Sequence, residues 1–110
     1  MSVRSQVELT QGAEDDLEAI YDYIREHRSA EEADALLERL LGKLATLEIF
    51  PLRGAVPKEL EALGMAEFRQ VRLAPFRLID RVDGATIFVF VIADGRRDMQ
   101  ALLERRLLRR

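Results

Sequence analysis

The chain has 110 residues, of which 48% are apolar, and this composition predicts one domain over residues 1–110 with a core of its own. Cysteine is absent, which excludes disulfides and thiolate metal sites, and the one histidine, His27, cannot form a zinc site alone, so we expect no cofactor. Residues 1–50 carry 5 Lys/Arg against 12 Asp/Glu, whereas residues 51–110 carry 12 against 8. The second half is therefore the part suited to attract nucleic acid or an acidic protein.

The N-terminal sequence does not have the pattern of a secretory leader, because polar residues follow Met1. The longest unbroken apolar stretch, residues 87–93, is far shorter than the ~20 residues that a membrane span needs. We therefore expect a cytoplasmic protein with no membrane partner.

The first half of the chain predicts a strand followed by two helices. Loose alternation of apolar residues favours a strand over 4–10. Thr10 is a typical N-cap for a helix over 11–27, and Ser29 is one for a helix over 30–48. Because the link between them is very short, the two helices should form a hairpin, and their outward faces are acidic.

The second half predicts three strands and a last helix. A loop over 50–57 leads to a short helical segment over 58–63, and strands follow at 67–74, 76–82 and 86–93. The dipeptide Asp83-Gly84 favours a type I′ turn between the second and third of these strands. The last of the three is apolar on both faces, which is typical of a central strand, and a helix over 98–108 ends the chain.

The predicted fold is therefore α+β, in the order β-α-α-β-β-β-α. Its sheet is mostly antiparallel, with the helical hairpin packed on one face. We expect the other face to be basic and open.

Four segments together resemble one known family. They are the strand and helical hairpin followed by Phe-Pro-Leu-Arg-Gly at 50–54, the tract at 67–71, the tract at 75–82, and the ending at 91–98. In this order, and over nearly the whole chain, they resemble the RelE/ParE-type toxins of type II toxin–antitoxin systems. The resemblance implies the RelE/ParE-like fold and a cognate antitoxin, of the ribbon-helix-helix, ParD-like kind.

Two activities occur among such toxins: RelE-like members cleave mRNA on the ribosome, whereas ParE-like members poison DNA gyrase. For a nuclease, the resemblance implies Arg69, Arg77 and Arg97 as the charged groups of the site. However, Val71 and Leu103 stand where that site would have a lysine and a tyrosine, and arginine is a poor proton acceptor. The helix segment 17–24 is also more similar to the ParE (plasmid stabilisation) branch, so gyrase is the preferred target and the nuclease is the alternative.

A binding surface is accordingly the expected functional site. Its predicted members, for a target or an antitoxin, are Arg69, Arg77, Arg81, Arg96, Arg97, Leu102, Leu103 and Leu107. Two plainer interpretations remain open, namely that the arginines pair with Asp80, Asp83 and Asp94, and that the leucines pack against the protein's own sheet.

Overall fold

The computed structural model describes residues 5–108, and its elements follow the predicted order closely. The bounds are β1 (Gln6–Leu9), α1 (Gln11–His27), α2 (Ala30–Ile49), α3 (Lys58–Glu61), β2 (Phe68–Leu73), β3 (Phe76–Asp83), β4 (Thr86–Asp94) and α4 (Met99–Leu103), and the chain continues from α4 into a π-helical turn over Glu104–Leu108. The predicted α+β fold is confirmed. The start of the predicted first strand, at residue 4, lies outside the described residues.

Both long helices begin where the sequence predicts. The Thr10 hydroxyl accepts a hydrogen bond from the amide of Ala13, and the Ser29 hydroxyl accepts one from the amide of Glu32. These caps satisfy amides that the first helical turn leaves without partners. Tyr21 of α1 donates to Asp34 of α2 at 2.6 Å and ties the helical hairpin together. Within residues 5–108, no helix has the length and apolar character that crossing a membrane requires.

The sheet is four-stranded and mixed, in the order β1-β4-β3-β2. β1 runs parallel to β4, whereas the β4–β3 and β3–β2 pairs are antiparallel. β4 is central, as its apolar sequence predicts, and it packs on both faces.

The face of the sheet under α1 and α2, called here the hairpin face, carries the larger core. Leu40, Leu44 and Leu47 of α2 pack there against Leu78 and Val89 of the sheet. All five side chains are buried, and burial of each contributes about 1.5–3 kcal/mol. The prediction that the helical hairpin packs on one face is confirmed.

The opposite face, called here the outer face, is not open as the sequence suggested. Leu60 of α3 and Met99, Leu102 and Leu103 of α4 form a second buried cluster with Ile79 of β3. The prediction of an uncovered outer face is therefore wrong, because the second half of the chain returns two short helices to it, and their buried apolar side chains pack there.

An irregularity in the β3–β4 ladder changes which residues face outward. Ile79 pairs with Val91 and Asp80 pairs with Val89, so Phe90 is an extra residue on β4. A bulge of this kind redirects side chains. Phe90 and Val91, although adjacent, both pack with the outer cluster.

The turn between β3 and β4 is where the sequence predicts, but its type differs. Asp83 pairs with Thr86, so the central residues are Gly84 and Ala85. Only Gly84 has a positive φ, at 63°, whereas a type I′ turn needs two such residues. Asp83 instead ends the strand, which spares a residue with a Cβ the cost of that conformation.

Candidate functional site

Arg77, a central member of the predicted basic surface, is buried. It is 5% exposed, and its guanidinium binds the Glu59 carboxylate through two bonds of 2.8 and 2.7 Å. Its Nε donates to Gln70 at 2.6 Å. The prediction that Arg77 stands on an open surface is therefore wrong, because α3 lies over the sheet and supplies a carboxylate.

This buried pair also changes the acidity of Glu59. The hydrogen bonds from Arg77 are the main cause that lowers the pKa of Glu59 to about 2. Glu59 is consequently ionised throughout the neutral range. It occupies the Nη1 and Nη2 donors of Arg77, and Gln70 occupies the Nε, so the donors that would bind a phosphate are already used.

Arg69 lies on the other side of the sheet from Arg77. Arg69 pairs across the strands with Asp80, and directly opposite residues share a face. Val71, two residues on, packs in the hairpin-face core, whereas Arg77 and Ile79 face outward. The structure thus separates two arginines that the prediction placed in one site.

Among the described residues, the buried carboxyl group of Asp80 has no hydrogen-bond partner. Its exposure is 0%, and neither carboxylate oxygen has a hydrogen-bond donor among residues 5–108. Desolvation raises the pKa of Asp80 to about 7, although the nearby charge of Arg69 opposes this rise. Asp80 therefore gains a proton as the pH falls below neutrality.

Arg81 lies on the outer face, beyond the part that α3 and α4 cover. Its guanidinium carbon is 5.7 Å from the ring centroid of Phe68 and 5.2 Å from that of Phe90. The two rings meet edge to face at 5.5 Å. Unlike Arg77, Arg81 forms no ion pair within residues 5–108.

Arg96 and Arg97 lie in the turn after β4. Arg96 is held by Asp94, which accepts from its backbone amide and its guanidinium. The hydrogen bond from Arg96 lowers the pKa of the Asp94 carboxyl. Arg97 is exposed and has no ion pair among the described residues.

A groove of about 1020 Å³ runs between this basic turn, the end of β4 and the helical hairpin. Apolar side chains of Ile20, Leu36 and Phe76 contribute to its lining. Its charged groups include four arginines and three acids, listed here as Arg28, Arg39, Arg96, Arg97, Asp16, Glu32 and Asp94. Because Asp16 and Asp94 are already paired with arginines, the groove as a whole favours anionic groups.

The C-terminal leucines are mostly part of the protein's own core. Leu102 is 3% exposed and Leu103 is 0% exposed, and Leu107 packs beside them. Leu102 and Leu103 therefore fit the plainer interpretation, in which they pack against the protein's own sheet, and their place in a binding surface stays a prediction.

One contact between α1 and the last helical turn has no signal in the sequence. Arg106 binds the Asp16 carboxylate at 3.0 and 3.1 Å and also donates to the carbonyl of Phe90. Asp16 accepts in turn from the amide of Ile92. This set of bonds is called here the clasp. It supplies hydrogen-bond partners to the Phe90 carbonyl and the Ile92 amide of β4, which lie beyond the end of the pairing with β1.

Comparison of the sequence with known families is decisive for its classification. Residues 7–99 match the family described as the ParE toxin of the type II toxin–antitoxin system parDE. The chain belongs to the ParE toxin family. A comparison with curated protein sequences finds no significant match.

Solved structures agree with this fold. A chain of the chromosomal ParDE toxin–antitoxin system of Pseudomonas aeruginosa superposes with a TM-score of 0.70 at 24% identity, covering 84% of this chain and 98% of that one. A chain of the toxin–antitoxin complex RelBE2 of Mycobacterium tuberculosis gives a TM-score of 0.58 at 21% identity, covering 84% and 99%. At these identities the likeness shows the shared fold alone.

The tyrosines and the histidine of this ParE toxin are the residue types that could transfer a proton. Tyr21 donates to Asp34, which raises the pKa of the Tyr21 hydroxyl, and Tyr23 stacks on His27 at the end of α1. These residues belong to the helical hairpin, not to the outer face. The three arginines implied for a nuclease, Arg69, Arg77 and Arg97, do not converge, since Arg69 and Arg77 lie on opposite faces.

Proposed function

We propose that this ParE-family toxin acts by binding DNA gyrase, without cleaving RNA, and that a cognate antitoxin neutralises it. The observation that carries the proposal is the buried pair of Arg77 with Glu59. A metal-free ribonuclease needs charged groups free to stabilise a phosphorane and a group that transfers a proton. Arg77 is already neutralised by a carboxylate, and within residues 5–108 the outer face of the sheet presents no histidine or tyrosine.

The two activities are separated by a direct assay. Purified toxin is incubated with DNA gyrase and plasmid, and in parallel with programmed ribosomes and mRNA. We expect inhibited supercoiling and trapped cleaved plasmid, with intact mRNA. Normal supercoiling together with site-specific mRNA cleavage would contradict the proposal.

The variant Glu59→Gln sharpens this test. It removes the negative charge that occupies Arg77 and keeps the size of the side chain. If the buried pair were only masking a nuclease, this variant would gain mRNA cleavage. We expect no gain, because releasing one guanidinium supplies no group for proton transfer.

The groove is the best candidate for the antitoxin site. It is lined by apolar side chains and has an excess of cations through Arg28, Arg39 and Arg97. An amphipathic helix with acidic residues along its polar edge matches such a groove. The proposed antitoxin segment therefore binds between the helical hairpin and the end of β4.

Charge reversal in the groove tests this placement. Arg39→Glu and Arg97→Glu should weaken antitoxin binding by at least tenfold in a titration calorimeter, while the free toxin keeps its growth inhibition. Arg72→Glu is the matched control, because Arg72 is exposed on the outer face and does not line the groove. Equal weakening by all three changes would mean that the antitoxin senses only net charge.

A further inference from the structure

The outer face carries an arrangement that neither the core nor the groove uses. Phe68 and Phe88 are the direct cross-strand partners of Arg81 on its two sides. Directly opposite residues share a face, so a phenylalanine, an arginine and a phenylalanine stand in a row across three strands. The bulge in β4 adds Phe90 to this row. These four residues are called here the Arg81 platform.

The platform is accessible. Arg81, Phe88 and Phe90 are half-buried, whereas Phe68 beneath them is 4% exposed and belongs to the outer cluster. The base of the platform is thus anchored in a packed core, and its upper part faces solvent. A rigid site of this kind loses little conformational entropy when it binds a partner.

Arg81 lies with its guanidinium against aromatic rings and, in the part of the chain that the structure describes, pairs with no carboxylate. Its guanidinium lies near two aromatic rings, at 5.7 and 5.2 Å from their centroids. Within residues 5–108 it forms no hydrogen bond or ion pair, in contrast to Arg77, Arg96 and Arg106. An arginine held by aromatic rings, with its N–H groups unused, is the type of residue that dominates the binding energy of protein interfaces.

The surroundings favour a protein carboxylate over nucleic acid. A nucleic-acid strand requires a series of cations that follows its phosphates. Among residues 5–108, the platform offers one unpaired cation beside three aromatic rings. Two acidic residues are close in sequence: Asp83 follows Arg81 by two positions on the same strand face, and Glu67 precedes Phe68. Acids beside the platform repel a polyanion, whereas one carboxylate flanked by apolar side chains matches an isolated arginine between aromatic rings.

We propose that the Arg81 platform is a second protein-docking site, which binds a carboxylate-bearing segment of the toxin's target. The groove lies on the hairpin side and the platform on the outer face, so the two sites do not overlap. This assignment of the target's chemistry rests on the proposed function, in which the groove binds the antitoxin.

The first experiment measures binding of DNA gyrase to immobilised toxin. Arg81→Ala should weaken gyrase binding at least tenfold and weaken inhibition of supercoiling in parallel, with antitoxin affinity unchanged. Arg81→Lys should recover little, because an ammonium cannot form the planar, bidentate contact. Arg72→Ala is the control, since it removes an exposed arginine of β2 that has no aromatic contact among the described residues.

The second experiment uses a probe that does not depend on gyrase. Two short peptides, one alternating leucine with glutamate and the other leucine with glutamine, are titrated into labelled toxin and followed by NMR, beside a thymidine oligonucleotide. The glutamate peptide should shift the ring signals of Phe88 and Phe90 and the Arg81 Nε signal, and the glutamine peptide should not. Equal shifts with both peptides, no shifts, or stronger binding of the oligonucleotide would overturn the inference.

The outcomes distinguish the two proposals. If gyrase binds the wild type and Arg81→Ala equally, the platform assignment fails while the proposed function stands. If the wild type does not bind gyrase, the proposed function fails, and the peptide titration still decides the chemistry of the platform. Thermal unfolding of Arg81→Ala within a few degrees of wild type shows that lost binding is not lost folding, and Phe88→Leu, which keeps an apolar side chain, provides a second folded variant.

Discussion

Asp80 should make the stability of this toxin fall as the pH rises from about 4 to about 7. The folded protein keeps a proton on this carboxyl until about pH 7, whereas the unfolded chain releases it near 3.8. A group with a raised folded pKa stabilises fully below its unfolded pKa, and this contribution is lost as pH rises through the folded value. Wild-type stability should therefore contain a component that declines between about pH 4 and about pH 7.

The size of this component follows from the two pKa values. A rise from 3.8 to about 7 spans about three units, and at about 1.36 kcal/mol a unit this corresponds to about 4 kcal/mol. Asp80→Asn has a similar shape but no charge at any pH. The free energy of unfolding of the variant minus that of wild type should thus grow by about 4 kcal/mol from about pH 4 to about pH 8.

Urea unfolding followed by circular dichroism measures this difference at each pH. Other carboxyl groups titrate alike in both proteins, so their contributions cancel in the difference. Asp83→Asn is the matched control, because Asp83 is exposed on the same strand and its variant should follow wild type. If the profiles of Asp80→Asn and wild type run parallel across the whole range, the carboxyl has a partner in solution and the reasoning is refuted.

Three further changes test other contacts. Glu59→Gln should destabilise the fold by about 3 kcal/mol at neutral pH, because it leaves Arg77 unpaired. Since the folded pKa of Glu59 is lowered to about 2, the difference in unfolding free energy between variant and wild type should close as the pH falls from about 4.5 towards about 2. A difference in urea unfolding that does not depend on pH would contradict the ion pair. Asp16→Asn should weaken the clasp by about 1–3 kcal/mol. Hydrogen exchange of the Ile92 amide, which donates to Asp16, should become faster, and unchanged exchange would argue against the clasp. Gly54→Ala should cost more than about 1 kcal/mol in thermal unfolding, since Gly54 has a φ of 96° and an added Cβ would meet a β2 carbonyl, whereas Gly42→Ala, at an open position of α2, should be neutral or stabilising.

Local signals in the sequence were sufficient to predict most of the fold. Thr10 and Ser29 mark helix starts through their own side chains, and the alternation of β2 and β3 is a period of two that needs no tertiary information. β4 is apolar on both faces, so its pattern identifies a central strand but cannot reveal the bulge at Phe90. The predicted type I′ turn at Gly84 was wrong because Asp83 pairs with Thr86 and so belongs to the strand, not to the turn.

The candidate site was much harder to predict, because it depends on how distant segments meet. Alternation correctly groups Arg77 with Arg81 on one side of β3, but the side on which Arg69 lies depends on the register across the turn, where Leu73 pairs with Phe76. The buried ion pair joins residues 18 positions apart and requires the placement of α3, which is only four residues long. No local pattern identifies Glu59 as the residue that neutralises an arginine of the sheet.

The clasp has a consequence for how the toxin is made. It joins residues 90 positions apart, and β1 pairs with β4 across a similar separation. A nascent chain therefore lacks the β1–β4 pairing until β4 has been synthesised and the full clasp until Arg106 has been, and contacts of such long range slow folding. A chain that is truncated before Arg106 can complete its sheet but loses the Arg106 bonds to Asp16 and to the Phe90 carbonyl, so the clasp is reduced to the bond from the Ile92 amide to Asp16.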